Sequence, residues 1–345
     1  MASTTTPLRV VVVGLGVMGT NHMRVLSGLP DVELVAAVDP GERQRDAARA
    51  AFPRIAVHAS LADALDAHEL DVAGIAAPVE HLPSIARSAL EAGLHALVEK
   101  PTAPSLDEAL ALADEAESRG LVLGVGHVER FNPAVVLLKR KLDEGAIGRV
   151  LQLQARRLSP FPNRDSMHGV ALDLATHDID VMRYLTGSEV VRVYAEVEQR
   201  VHERAEDLLC ATLRFQDGAT GLLEVNWITP TKVRQLTVTG EHGMFTVDYL
   251  TQELCLYEHP TSATEWDALA SIRGGGEGDM IRFALDRHEP LRREWEELVA
   301  SIRAGRPALV TARDGAAALA AAQAIRDAGA VHAVVTPSYP GVPVA

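Results

Sequence analysis

Two stretches carry residues that could move a proton. Glu99-Lys100-Pro101 follows the apolar run Leu94-His95-Ala96-Leu97-Val98, so a buried strand delivers a carboxylate and an ammonium to a loop whose turn a proline sets. Asp173-Leu174-Ala175-Thr176-His177 places a carboxylate and an imidazole four residues apart, neighbours on one face of a helix. An imidazole titrates near neutrality and can take a proton, with the carboxylate holding its tautomer. An ammonium can hydrogen-bond an oxygen that gains negative charge. A desolvated lysine could exchange roles with the histidine. Each stretch alone also reads as ordinary solvated charge, at a strand end or on the polar side of an amphipathic helix. The chemical reading needs a fold that brings Lys100, Asp173 and His177 to one ligand.

The N-terminal half holds elements able to position such a ligand. Residues 8–13, Leu-Arg-Val-Val-Val-Val, read as a buried strand running into Gly14-Leu15-Gly16-Val17-Met18-Gly19. A helix is expected from Val17 to about Leu29, then a strand over 32–38 ending at Asp39. Strand, G-x-G-x-x-G, helix, strand and acid together predict a dinucleotide site. Gly14 makes the turn, Gly16 admits a pyrophosphate, and Gly19 lets helix and strand approach. Val17 and Met18 open a helix whose N–H groups face the phosphates. Asp39 is placed for a ribose 2′-hydroxyl and would repel a 2′-phosphate, so NAD is favoured over NADP. Helices over 42–52, 61–67, 82–92 and 106–118 alternate with strands over 55–57, 72–76, 94–98 and 121–125. Strict alternation predicts a doubly wound parallel sheet of the Rossmann type, with ligands beyond the carboxyl ends of its strands. Asp39, Ala77, Pro78, Glu99 and Lys100 lie at such ends. His81, starting the next helix, is either a cofactor contact or a structural histidine.

The pattern changes near Gly126, which divides the chain into a dinucleotide-binding domain over 1–126 and a second domain over 127–345. Candidate strands at 149–158, 190–199, 208–216, 219–228, 232–239, 244–249 and 253–258, with turns at Asp217-Gly218 and Gly240–Gly243, predict an α+β domain with an open, mainly antiparallel sheet. The helix over 170–185 puts Leu172, Ala175, Ile179 and Met182 on one face and Asp173, His177, Asp180 and Tyr184 on the other. Arg156, Arg157 and Arg164 could grip an anionic group, or be surface arginines. Asn132 and Tyr184 are further candidate substrate contacts. One Asp and one His lack the remaining ligands of a zinc site, and His168 and His202 have no supporting spacing, so no metal is expected. Residues 259–279 read as a long glycine-rich loop. Helices follow over 289–304, with Leu291, Trp295, Leu298, Val299 and Ile302 on one face, and over 312–328, closed by Gly329. The tail over 331–345 carries no assignable pattern.

At 345 residues and 47% hydrophobic content the chain can bury a core in each of two domains. A net charge of −14 argues against nucleic acid and anionic membrane partners. Two cysteines without motif spacing, Cys210 and Cys255, read as reduced, buried thiols of a cytoplasmic protein. No stretch is apolar for long enough to span a bilayer.

Assembled, these motifs resemble the Gfo/Idh/MocA family of sugar and polyol dehydrogenases, through Gly14-x-Gly16-x-x-Gly19, Glu99-Lys100-Pro101 and Asp173-x-x-x-His177 in that order. The resemblance implies that Lys100, Asp173 and His177 form the catalytic group. The chain departs from the pattern at Ala77, where relatives commonly carry threonine, which removes one hydroxyl from the cofactor contacts that the resemblance implies. Glu129-Arg130-Phe131-Asn132-Pro133, Arg157-x-Ser159-Pro160, the stretch 173–180 and Gly240-Glu241-His242-Gly243-Met244 look most like the UDP-N-acetylglucosamine 3-dehydrogenase branch. That branch implies NAD-dependent oxidation of a sugar C3 hydroxyl to a ketone. The free face of the open C-terminal sheet is a candidate for self-association, as a homodimer or homotetramer. An enzyme oxidising an aminoglycoside ring for antibiotic biosynthesis would look much the same. A non-catalytic dinucleotide-binding regulator is the reading of another class, and a full proton-transfer set argues against it.

Overall fold

The computed structural model describes residues 6–162, 168–259 and 278–339. Arg164 and nearly all of the glycine-rich stretch lie outside the described residues. The chain divides into two compact units, one of 1–128 with 289–319, the other of 129–288 with 320–345.

The first unit is built on six parallel strands. β1 (Leu8–Val13) pairs with β2 (Val32–Val38) on one side and β4 (Val72–Ile75) on the other. β3 (Ala56–His58), β5 (His95–Val98) and β6 (Leu123–Val125) complete the order β3-β2-β1-β4-β5-β6. Helices α1 (Val17–Leu26), α2 (Glu42–Ala51), α3 (Leu61–Ala67), α4 (Leu82–Glu91) and α5 (Leu106–Ser118) make the crossovers. The strand order reverses at β1 and β4, so the carboxyl ends of these two strands form the switch point where such sheets bind ligands. The valines of β1 are buried on both faces, which is why that strand reads as an unbroken apolar run.

The chain's return to this unit over 289–319 corrects the expectation of a second domain running unbroken from 127 to 345. The apolar stripe of α8 (Pro290–Ala304) explains it. Leu291, Trp295, Leu298 and Val299 join the core of Val10, Val12, Met23 and Leu97. The periodicity exposed the stripe, but not which core it would fill.

The second unit carries, among the described residues, an eight-stranded sheet. Its strands are β7 (Val150–Leu158), β8 (Val190–Glu198), β9 (Leu208–Phe215), β10 (Thr220–Asn226), β11 (Val233–Gly240), β12 (Gly243–Asp248), β13 (Glu253–Glu258) and β14 (Met280–Arg282). The order is β14-β13-β12-β11-β7-β10-β9-β8, antiparallel except for β7 with β10. β14, three residues long, falls just beyond the stretch expected to be a loop. One sheet face packs on α6 (Pro133–Asp143) and α7 (Thr176–Thr186), and the alternation of buried and exposed residues follows the pleat. That alternation corrects the cysteines. Cys210 is exposed and Cys255 half-buried, both free thiols at outward positions of β9 and β13. α9 (Ala312–Val331) carries the chain from the first unit into the second and runs through Gly329 rather than stopping there. A Cβ at Gly329 would sit 2.5 Å from Val197, so its glycine serves close packing, not a helix stop.

Candidate active site

In the first unit the expected cofactor residues gather at the switch point. Gly14, at φ +89°, has no room for a side chain: a Cβ would lie 2.5 Å from the Ala76 carbonyl oxygen. At Gly19 a Cβ would lie 1.7 Å from the Gly14 carbonyl oxygen, so helix and turn touch through backbone. At Gly16 a Cβ would meet no atom within 4 Å. Its glycine leaves open space at the start of α1, where Val17 is 82% exposed and Met18 38%. An open cradle beside a helix N-terminus fits a dinucleotide pyrophosphate.

Asp39, at the end of β2, ties this loop down. Its carboxylate accepts the Leu15 and Gly41 N–H groups, both at 2.8 Å, while remaining half-exposed. Arg45 donates to the carbonyl oxygens of Asp39 and Pro40 at 2.9 and 2.6 Å. The carboxylate repels a 2′-phosphate, but Arg45 places a cation beside it. Asp39→Ser is therefore expected to reduce the preference for NAD over NADP by about 10–100-fold, roughly 1.4–2.8 kcal/mol. Steady-state kinetics with each cofactor reads this, and an unchanged ratio would place the discrimination elsewhere.

Ala77 and Pro78 follow β4, next to Gly14, while His81 is exposed at the start of α4 and makes no side-chain cap. Glu99 and Lys100 follow β5, both half-buried, and the Lys100–Pro101 peptide is cis. The Glu99 carboxylate accepts the Lys100 N–H at 3.2 Å and the His22 Nε2–H at 3.0 Å. His22 was not anticipated as part of this group. Its signal lay in the buried stripe of α1, where it is the one ionisable residue among Gly19, Met23 and Leu26.

In the second unit the segment carrying Asp173 is a π turn, Ala171–Ala175, continued by α7. The wider turn shifts Asp173 and His177 from the spacing of a plain α-helix, and such turns recur at functional sites. Val170 N–H donates to the Glu206 carbonyl at 3.0 Å, and Ala171 N–H to the Glu206 carboxylate at 3.3 Å, so the first turn is capped from the β8–β9 connection. Asp173 and His177 are half-buried, whereas Asp178 and Asp180 are closed off at 1% and 0% exposure. Asp180 thus leaves the polar face expected for it.

Those closed carboxylates hold arginines. Arg157 forms a fork on Asp178 at 2.7 and 3.1 Å and reaches Glu129 at 3.2 Å. Arg130 forms a second fork on Asp180 at 2.8 and 2.6 Å and lies 5.0 Å from the Tyr184 ring centroid. Three expected substrate contacts are corrected accordingly. Arg157, 2% exposed, is a structural cation. Asn132 caps α6 by accepting the Ala134 N–H and donates to the Tyr249 carbonyl. Arg156 lies on the outward phase of β7, paired with Glu224 at 2.7 Å. The Tyr184 ring has Arg130 at 5.0 Å and Lys139 at 5.7 Å from its centroid, and burial raises its phenol pKa.

Arg234 went unanticipated. It pairs with Arg157 across β11 and β7, and its guanidinium, 36% exposed, lies 3.7 Å from Glu129. Burial and the nearby Arg157 lower its pKa, against the fields of Glu129, Asp178 and Asp173. Its signal was strand parity: Arg234 is in phase with the buried Leu236 and Val238.

Among the described residues no cluster of three His, Cys, Asp or Glu side chains could hold a metal ion, and no helix is long and apolar enough to cross a membrane.

The family model for the NAD-binding Rossmann fold of the Gfo/Idh/MocA oxidoreductases matches residues 8–127, and that for the Gfo/Idh/MocA C-terminal domain matches residues 135–246. UDP-N-acetylglucosamine 3-dehydrogenase of Acidithiobacillus ferrooxidans is 30% identical over 92% of this chain and 96% of its own length. A crystal structure of that enzyme matches with a TM-score of 0.81 at 27% identity, covering 94% of this chain and 99% of the other. Inositol 2-dehydrogenase 2 of Saccharopolyspora erythraea is also 30% identical, over 98% of this chain and 96% of its own length. Levoglucosan dehydrogenase, solved with NADH and L-sorbose, shares the fold at a TM-score of 0.86 and 22% identity, covering 97% of this chain and 100% of the other. The chain therefore belongs to the Gfo/Idh/MocA oxidoreductases and is an NAD-binding dehydrogenase.

Proposed function

We propose that the chain oxidises a ring secondary hydroxyl of a nucleotide amino sugar to a ketone, at C3 of a substrate such as UDP-N-acetylglucosamine. The observation that carries this reading is the 30% identity, over 92% of the chain, to UDP-N-acetylglucosamine 3-dehydrogenase. NAD, when bound, supplies the hydride acceptor. Lys100, Asp173 and His177 form the catalytic group. His177 takes the hydroxyl proton, Asp173 orients its ring, and the Lys100 ammonium hydrogen-bonds the oxygen as charge develops on it. Arg234 takes the place first assigned to Arg157 as the cation facing the substrate's anionic part. The partly open sheet face, with Leu151 and Tyr194 about 40% exposed, supports self-association of the chain through this sheet.

A cyclitol substrate is the second reading. It rests on the equal identity to inositol 2-dehydrogenase 2 and on the commitment of Arg157 to Asp178 and Glu129, which leaves fewer cations for a diphosphate. The test is product identification. Protein and NAD⁺ are incubated separately with UDP-N-acetylglucosamine, myo-inositol and an aminoglycoside, and any ketone is trapped with borodeuteride. Deuterium at C3 of the amino sugar is the expected result. Trapping from myo-inositol or the aminoglycoside alone would overturn the nucleotide-sugar reading.

A further inference from the structure

Two buried side chains and a half-buried one, from distant parts of the first unit, form a directional chain ending at Lys100. The Trp295 indole N–H donates to His22 Nδ1 at 2.9 Å. His22 Nε2 lies 3.0 Å from Glu99 Oε1, and Glu99 Oε2 accepts the Lys100 backbone N–H at 3.2 Å. Trp295 is 0% exposed and His22 1%. An indole N–H can only donate, so His22 Nδ1 must accept. The proton of a neutral His22 therefore sits on Nε2, aimed at the carboxylate. Glu99 receives a donor on each oxygen, which sets the direction of its carboxylate.

The surroundings are shaped for this chain. A Cβ at Gly74 on β4 would lie 2.8 Å from the Trp295 ring, and one at Gly126 would lie 2.9 Å from a Glu99 oxygen. Glycine at these two positions makes room for the indole and for the carboxylate. His22 belongs to α1, the helix that opens at Val17 beside the Gly16 cradle. The chain thus ties the loop bearing Lys100 to the helix that faces the cofactor phosphates, one helical turn below the glycine motif.

We propose that His22 and Trp295 are positioning residues for Glu99 and Lys100, with Trp295 selecting the His22 tautomer that makes it a donor to Glu99. This rests on the assignment of Lys100 to the catalytic group. A displacement of about 1 Å in a reacting group costs on the order of 100-fold in rate, so loosening this chain should act on turnover rather than on cofactor affinity.

The test uses the full-length protein and whichever sugar it oxidises. His22→Leu is expected to lower kcat by about 10–100-fold, leave the NAD⁺ dissociation constant little changed, and raise the deuterium isotope effect on kcat with substrate labelled at the carbinol carbon. His22→Gln, whose amide can accept from Trp295 and donate to Glu99, should restore most of the loss. Trp295→Phe should lower kcat less and mix the His22 tautomers, read by nitrogen-15 NMR as loss of the single Nε2–H form. A His22→Leu variant that is destabilised but keeps kcat and the isotope effect would overturn the proposal, as would wild-type His22 protonated at Nδ1. If His22→Leu does not fold, Trp295→Phe and His22→Gln carry the decision: kcat unchanged in Trp295→Phe overturns it. The NMR reading needs no substrate. Lys100→Met that still turns over would sink the Lys100 assignment, whereas an inactive Lys100→Met beside an unaffected His22→Leu would sink only the positioning chain.

Discussion

Replacing Lys100 by methionine is expected to lower turnover by about 10²–10⁴-fold while NAD⁺ still binds. The two effects separate because the groups separate. The pyrophosphate cradle rests on Gly14, Gly16 and Gly19, whose roles come from close backbone approach at Gly14 and Gly19 and from open space at Gly16. Lys100 stands at the end of β5, its backbone held by Glu99, with its ammonium as the only part methionine removes. Methionine keeps the stem's length and apolar character, so packing is little disturbed. Fluorescence titration of NAD⁺ and steady-state oxidation of the sugar measure the two quantities. Turnover retained within a few-fold would exclude the ammonium from the chemistry, whether it acts as oxygen-holder or, desolvated, as base.

Replacing Arg157 by methionine is expected to destabilise the second unit by about 3–5 kcal/mol. The change leaves Asp178 at 1% exposure with its fork partner gone and Glu129 at 7% without its shortest contact. Uncompensated buried carboxylates carry that penalty, whereas replacing Arg157 and Asp178 together by apolar residues should recover much of it. Denaturant unfolding followed by Trp227, buried in the second unit, reads the loss. Because Asp178 follows His177 on α7, activity should fall as well. A loss below about 1 kcal/mol would mean that the Arg157 pair behaves as a solvated one.

Local patterns carried most of the first unit. A valine run, three glycines at fixed spacing and an acid at the next strand's end all fall within about 40 residues of chain, so sequence order suffices to read them. The positioning chain was not legible that way. Trp295 and His22 are 273 residues apart, and the periodicity of α8 revealed its apolar stripe without naming the core that stripe would enter. In the second unit the arginines were read by residue type, as one group able to hold an anion. Strand parity separates them: Arg157 is in phase with the buried Leu153 and Ala155, while Arg156 points to the outward face. The same parity places Arg234 inward. A helical wheel put Asp180 on the polar face with Asp173 and His177; both His177 and Asp180 lie in the regular α7, and Asp180 is buried by its fork with Arg130, a partner 50 residues away that no periodicity reveals.

The reaction proposed for this NAD-binding dehydrogenase is the oxidation of a sugar secondary hydroxyl. The most direct test is absorbance at the reduced-nicotinamide band, with purified protein, NAD⁺ and UDP-N-acetylglucosamine, myo-inositol or an aminoglycoside in turn, with a carbonyl trap to remove the ketone. Growth of that band with the nucleotide sugar, lost in Lys100→Met, is the expected result. No reduction with any sugar or cyclitol, under conditions where NAD⁺ binding is demonstrated, would contradict it.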